Sequence, residues 1–398
     1  MPAWLRLVRV HAPVVVVLAL PLLCFDFPGT SDVQIWLDRW AVWSERYGLV
    51  GGYVRAHENY PPLGFAVPAF VGFVSRLTSS DAFAVLKAVL FMFLLATTAA
   101  TYLLTRSVRG ALAMHLALTV NAMMHGYLDI CFAPFLLASA YFIGRNRPAA
   151  GALSFFLAAM LKYQPLIVAP FWVSHVVSQG LEHASWQATA KKLFTTALLP
   201  VFALIVVLRL LFGPWFFGSV FATTTQHHWL SGNALNLNWL IASALKPENP
   251  LRVDIGAVPG WLLPARCLLL AGYAYALFGY WRSRRDLVSC LLWASVGYLA
   301  YFVFNYGVHE NHLFLVGVLG VVLATVDSKR LRWLVYWPVA ACLNEILFYG
   351  FRGTGFELER RVLGLDLTVP FALLNVVMFF VTAVAAWRVG SRPAPSAA

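Results

Sequence analysis

"PPLGFAVPAFVGFVSRL", residues 61–77, is the stretch on which the topology of this chain turns. Its apolar length approaches that of a membrane span, and counting it as one would reverse the side of every segment that follows. Pro61, Pro62 and Pro68 suit a broken helix that lies in an interface or re-enters from it. Charge decides between the two readings. The chain around this stretch has 398 residues, 61% hydrophobic and 12% charged, roughly half the charge of a soluble domain. Its long apolar runs do not alternate as barrel strands do. The composition therefore reads as an all-α, polytopic helical membrane protein.

About twelve transmembrane helices are expected, near 8–24, 82–104, 111–124, 130–144, 149–161, 164–178, 193–212, 262–281, 287–304, 313–326, 332–349 and 369–388. With 61–77 left out of the count and the N-terminus inside, the inner loops hold 16 of the 29 Lys and Arg residues. They lie in short basic clusters such as "TRSVRG", "GRNRP" and "WRSRRD", where the positive-inside rule acts most strongly. Of the 17 acids, only Glu182, Asp286 and Asp327 fall inside. Both tallies give one orientation, with both termini cytoplasmic. The net charge of +12 is thus a matter of topology, and no basic patch interleaved with aromatics points to nucleic acid. "WLRLVRVHAPVVVVLALPLLC" (4–24) is expected to remain as an uncleaved first span. The five cysteines sit in or at the ends of apolar runs and read as small buried hydrophobes.

One integral membrane domain over 1–398 follows. The first outer loop, 25–81, carries interfacial helices; 213–261 is a long outer loop, and 389–398 a short cytoplasmic tail. The outer face also receives 304–313 and 350–368. Two polar knots therefore share that face, "RAHENYPPLGF" (55–65) and "FNYGVHENHLF" (304–314). In the first loop, a helix over 33–47 places Trp36, Trp40 and Trp43 on one face, as an interfacial anchor would. Asp32 precedes that helix, and two readings stand: a helix cap or a carboxylate base. Lys162, in "AAMLKYQPLIVAPF" (158–171), either snorkels to the interface or faces a cavity and binds an anion. His309, Glu310 and His312 read either as a hydrated helix end or as a ligand-contacting cluster; they do not form an HExxH zinc pattern.

"SDVQIW", "YPPL", "KYQPL" and "VHENHLF", in this order over about 300 residues, resemble the GT-C class of integral membrane glycosyltransferases. "YPPL" with a later "VHE" resembles the glucosyltransferases that extend lipid-linked oligosaccharides. "KYQP" resembles bacterial mannosyltransferases that use polyprenyl-phosphate mannose. The first loop departs from the class in lacking a paired-acid motif, since Asp38 lies six residues beyond Asp32. The resemblance implies an inverting hexosyltransferase in a bacterial inner membrane, its site on the periplasmic or extracellular side. The donor would be a polyprenyl-phosphate-linked mannose or glucose, the acceptor a glycolipid, polysaccharide or protein, and no cofactor is expected, a divalent metal being disfavoured.

In that chemistry Asp32 would be the general base, while Lys162, His309, His312 and Arg209 would meet the donor phosphate. Glu58, Tyr60, Gln164 and Glu310 would line the substrate. A secondary transporter or lipid-linked sugar flippase is the alternative, but such proteins carry ionisable residues near the midplane in repeated halves, and no repeat is visible. An intramembrane protease lacks a nucleophile–base or zinc motif.

Overall fold

In the computed structural model, which describes residues 12–57, 59–225, 228–354, 361–362 and 364–390, the chain is almost entirely helical. The first helix is α1 (Ala12–Cys24). A helical stretch over 31–56, here α2, contains a π-turn at Ile35–Ala41 and a kink at Gly48. Next come α3 (Pro62–Thr78), α4 (Ala82–Thr105) and α5 (Val108–Met124). They are followed by α6 (Asp129–Ile143), α7 (Pro148–Leu161), α8 (Ala169–His183) and α9 (Trp186–Phe212). The long loop carries α10 (Trp215–Thr225) and α11 (Leu237–Leu245). The last five are α12 (Pro259–Arg282), α13 (Leu287–Phe304), α14 (Phe314–Val326), α15 (Tyr336–Tyr349) and α16 (Thr368–Gly390). Strand structure among the described residues is confined to an antiparallel pairing of Arg361–Val362 with Leu365–Asp366.

Helix boundaries follow local chemistry. Asp81 caps α4 by accepting from the Ala84 amide, Ser107 caps α5 through Gly110, and Asp286 caps α13 through Ser289. Each side chain satisfies a backbone donor that the first helical turn leaves open. Proline starts α3 and α7, where its missing N–H costs nothing.

Helices occupy all twelve expected positions, but α4, α9, α12, α13 and α16 are the five long and apolar enough to cross a membrane. The apolar helices α1, α3, α5, α6 and α7 are shorter, between 10 and 17 residues. At about 1.5 Å per residue, even 17 residues fall short of a hydrocarbon core of roughly 30 Å. Among the five, α13 is central, with 83% of its most apolar window buried in the protein, whereas α9 is peripheral at 6%.

The segment expected to form the first outer loop differs from its expected form in two ways. Residues 62–78 make an unbroken helix in spite of Pro68, because the other two prolines precede or start it. The tryptophan face of α2 also turns inward. Trp36 and Trp40 are buried, and the Trp40 ring meets Tyr60 and Phe65 at 5.1 and 5.5 Å between centroids. They fasten α2 to α3 and are not anchors in an interface. A Cβ at Gly64 would lie 2.4 Å from the Leu161 carbonyl oxygen, so α3 packs against the end of α7 at backbone distance. That contact brings the first loop over Lys162.

Candidate functional site

Asp32 is the second residue of α2. Thr30 precedes the helix, which has no side-chain cap. The capping reading is therefore excluded, and among the described residues the Asp32 carboxylate makes no hydrogen bond. Its position comes from the backbone before it: the Thr30 amide donates to the His125 carbonyl (3.0 Å) and the Gly29 amide to that of Arg352 (3.2 Å). Burial raises the pKa of Asp32, and the negative charge of Glu310 raises it further, against the opposing influence of His309 and Lys162. These three side chains, from distant parts of the sequence, thus lie close enough to act on Asp32.

Lys162 follows α7 and is almost entirely buried. It forms an ion pair with Asp129, its Nζ 2.7 Å from Oδ2, and lies 5.5 Å from the centre of the Tyr60 ring. Burial alone would lower its pKa, but Asp129 and Tyr60 outweigh that effect and raise it, so the side chain is a cation. The same Asp129 oxygen accepts from Asn311 Nδ2 at 3.2 Å. Snorkelling is accordingly not what Lys162 does.

Glu310 is buried in the turn Glu310–Leu313 ahead of α14. Its Oε1 accepts from the Tyr127 hydroxyl at 2.6 Å, and its Oε2 is 3.7 Å from His309 Nδ1. Burial works to raise its pKa, yet the nearby His309 and the Tyr127 hydrogen bond together prevail and lower it. The His309 ring packs on Gly232, where an added Cβ would stand 3.0 Å from it, and the Gly232 amide donates to the Val308 carbonyl. The long loop thus buttresses the late knot. His312 stands beside His309, the two rings 5.6 Å apart between centroids, and its Nδ1 is 3.1 Å from the Tyr301 hydroxyl of α13.

Asp32, Tyr60, Lys162, His309 and Glu310 are therefore brought together. Gln164 is buried two residues beyond Lys162, and neither atom of its side-chain amide has a hydrogen-bond partner among the described residues. Arg209, half-buried in the last turn of α9, has no hydrogen bond or ion pair linking it to the cluster. Glu58 lies outside the described residues. Residues 391–398, most of the expected tail, do so as well.

The sequence reading missed Asp129, Tyr127 and Asn311, and with them a second buried group. Glu345, on α15, accepts from Asn121 Nδ2 at 2.7 Å and lies 3.1 Å from His125 Nδ1. An acid inside an otherwise apolar helix was the available signal for Glu345. Asp129 adjoins an apolar run and looks like an ordinary span boundary. The arrangement offers a half-buried carboxylate without a hydrogen bond among the described residues, a fixed cation and several hydrogen-bonding groups at one end of the helix bundle. Among the described residues, no group of three or more His, Cys, Asp or Glu could hold a metal ion. No protein-family model and no curated protein matches the chain.

Proposed function

We propose that this chain is an integral membrane glycosyltransferase of the GT-C type. It would transfer mannose or glucose from a polyprenyl-phosphate carrier to an acceptor at the outer face of a bacterial inner membrane. The observation that carries this reading is the convergence of Asp32, Lys162, His309 and Glu310 at one end of the bundle, with Asp32 free of a cap. Asp32 takes the proton of the acceptor hydroxyl while the hydroxyl oxygen bonds to the anomeric carbon. The bond from that carbon to the phosphate oxygen breaks, its electron pair leaving with the lipid phosphate and its configuration inverting. Lys162 and His309 supply positive charge and donors for the departing anion, while Tyr60 and Glu310 bind sugar hydroxyls. The exposed apolar side chains of α3, Phe70, Phe73 and Leu77, offer a surface for a prenyl chain beside the site.

One observation favours a second reading, a secondary transporter or lipid-linked sugar flippase. Asp129–Lys162 and Glu345–His125 are buried ionisable pairs on or beside apolar helices, as transport pathways often contain. Purified protein supplied with radiolabelled polyprenyl-phosphate mannose and glucose separates the two. Consumption of one donor, undiminished by EDTA, is expected from a metal-free transferase. No consumption of either, with movement of labelled lipid across proteoliposomes, would give the transporter reading.

A further inference from the structure

The five residues "HGYLD", 125–129, join α5 to α6 and contact Glu310, Lys162 and the chain just before Asp32. The His125 carbonyl accepts the Thr30 amide, two residues before Asp32. Tyr127 donates to Glu310. Asp129 holds Lys162. One short turn thus fixes the base, the acid of the late knot and the buried cation relative to one another. Its backbone is special too: Gly126 has φ +73°, and a Cβ there would stand 2.8 Å from Val33, the residue after Asp32.

What holds this turn is the buried His125 ring. Its Nε2 lies 2.7 Å from the Gly350 carbonyl, which can only accept, so Nε2 carries a proton. Its Nδ1 faces Glu345 Oε2 at 3.1 Å. A proton is shared there, either on an imidazolium beside a carboxylate or on a carboxyl donating to a neutral ring. Both arrangements have no net charge, so the pair can sit fully buried without an uncompensated ion. Asn121 fixes the other Glu345 oxygen. The ring is therefore clamped between α15 and the chain that follows it.

We propose that His125, clamped by Glu345, is a positioning residue: it sets the turn 125–129, and through it the placement of Asp32 against Glu310 and Lys162. The catalytic half of this statement rests on the transferase reading; the structural half does not. Glu345→Gln and Glu345→Leu test it. Glutamine can donate to Nδ1 and still accept from Asn121, so the clamp survives with a neutral ring; leucine removes it.

Hydrogen–deuterium exchange of the full-length protein in detergent reads the clamp without any turnover. In Glu345→Leu, the amides of residues 29–33 should exchange on the order of tenfold faster, with α4 and α13 unchanged. Glu345→Gln should match wild type. In the transfer assay Glu345→Leu should lower kcat on the order of ten- to a hundredfold with donor KM little changed, and Glu345→Gln should restore it. Unchanged exchange at 29–33 overturns the proposal. Exchange rising equally in α4 and α13 also overturns it, since Glu345 would then be a general stabiliser. So does a glutamine variant as impaired as leucine in both assays. If wild-type protein consumes no donor, the transferase reading fails, while the exchange result still decides the positioning.

Discussion

Lys162 and Asp129 provide the most quantitative test of the site. Their charged atoms are 2.7 Å apart, with the lysine side chain 10% exposed and the aspartate fully buried. At an effective dielectric constant of about 20, two unit charges at that distance attract by about 6 kcal/mol, against roughly 1.5 kcal/mol in bulk water. Desolvation offsets much of this in the intact pair, but replacing one partner leaves the other charge buried and uncompensated. Lys162→Met and Asp129→Asn should therefore each destabilise the protein by about 3–5 kcal/mol. The double variant should cost less than the sum by about 2–4 kcal/mol, because the second substitution removes the charge stranded by the first. Tryptophan fluorescence during SDS titration in mixed micelles gives the four stabilities of this cycle. Additivity within about 0.5 kcal/mol would refute a buried ion pair and return Lys162 to an interfacial, hydrated position. The cycle also governs how an alanine scan should be read: lost transfer in a lysine variant supports phosphate binding only after the stability loss is subtracted.

Asp32→Asn is nearly isosteric, and Asp32 caps nothing, so transfer should be abolished with stability and donor binding retained; turnover within about threefold of wild type would remove Asp32 from the base role. The pH profile carries a sign. Asp32 must be ionised to act, and because burial and then Glu310 raise its pKa, kcat/KM should fall on acidification above the usual aspartate range. Glu310→Gln removes one of the raising charges and should move that limb to lower pH; an upward or absent shift would show that Glu310 does not act on Asp32. Orientation is checked with single cysteines in a cysteine-free background, labelled in intact cells by an impermeant thiol reagent. Gln34 and Lys246 positions should label directly, and those of Arg106 and Lys329 only after permeabilisation; all four residues are exposed. The reverse pattern would invert the proposed topology.

Helix positions were legible where local chemistry marks both ends. The bounds expected for α13 coincide with those observed because Asp286 caps its start and the chain becomes extended at Asn305. Pro148 and Lys162 delimit α7 in the same way. The reading of Trp36 and Trp40 went wrong for a definite reason. Helical spacing shows that one face of α2 is apolar, but it does not say whether lipid or another helix covers that face. Here Phe65 and Tyr60 cover it, and both are separated from the tryptophans by the kink at Gly48.

The same distinction explains which part of the site was visible. Asp32, Lys162 and the His309–Glu310 pair interrupt apolar sequence, and a polar residue in such a place is conspicuous because leaving it unpaired in a membrane protein is expensive. Their partners are less conspicuous. Asp129 stands where a span is expected to begin, and its meaning depends on Lys162, 33 residues later. Tyr127 is an ordinary aromatic until its hydroxyl is seen to meet Glu310, 183 residues away. A conspicuous polar residue thus announces a site, whereas the residue that neutralises it can occupy a position where polarity costs nothing in the sequence. The physical requirement of pairing links them: Lys162 could not remain a buried cation without a carboxylate, and the acids at the same end of the bundle were the places to look. By that argument Glu345, an acid within α15, required a donor at its own depth, and His125 and Asn121 at the end of α5 supply it.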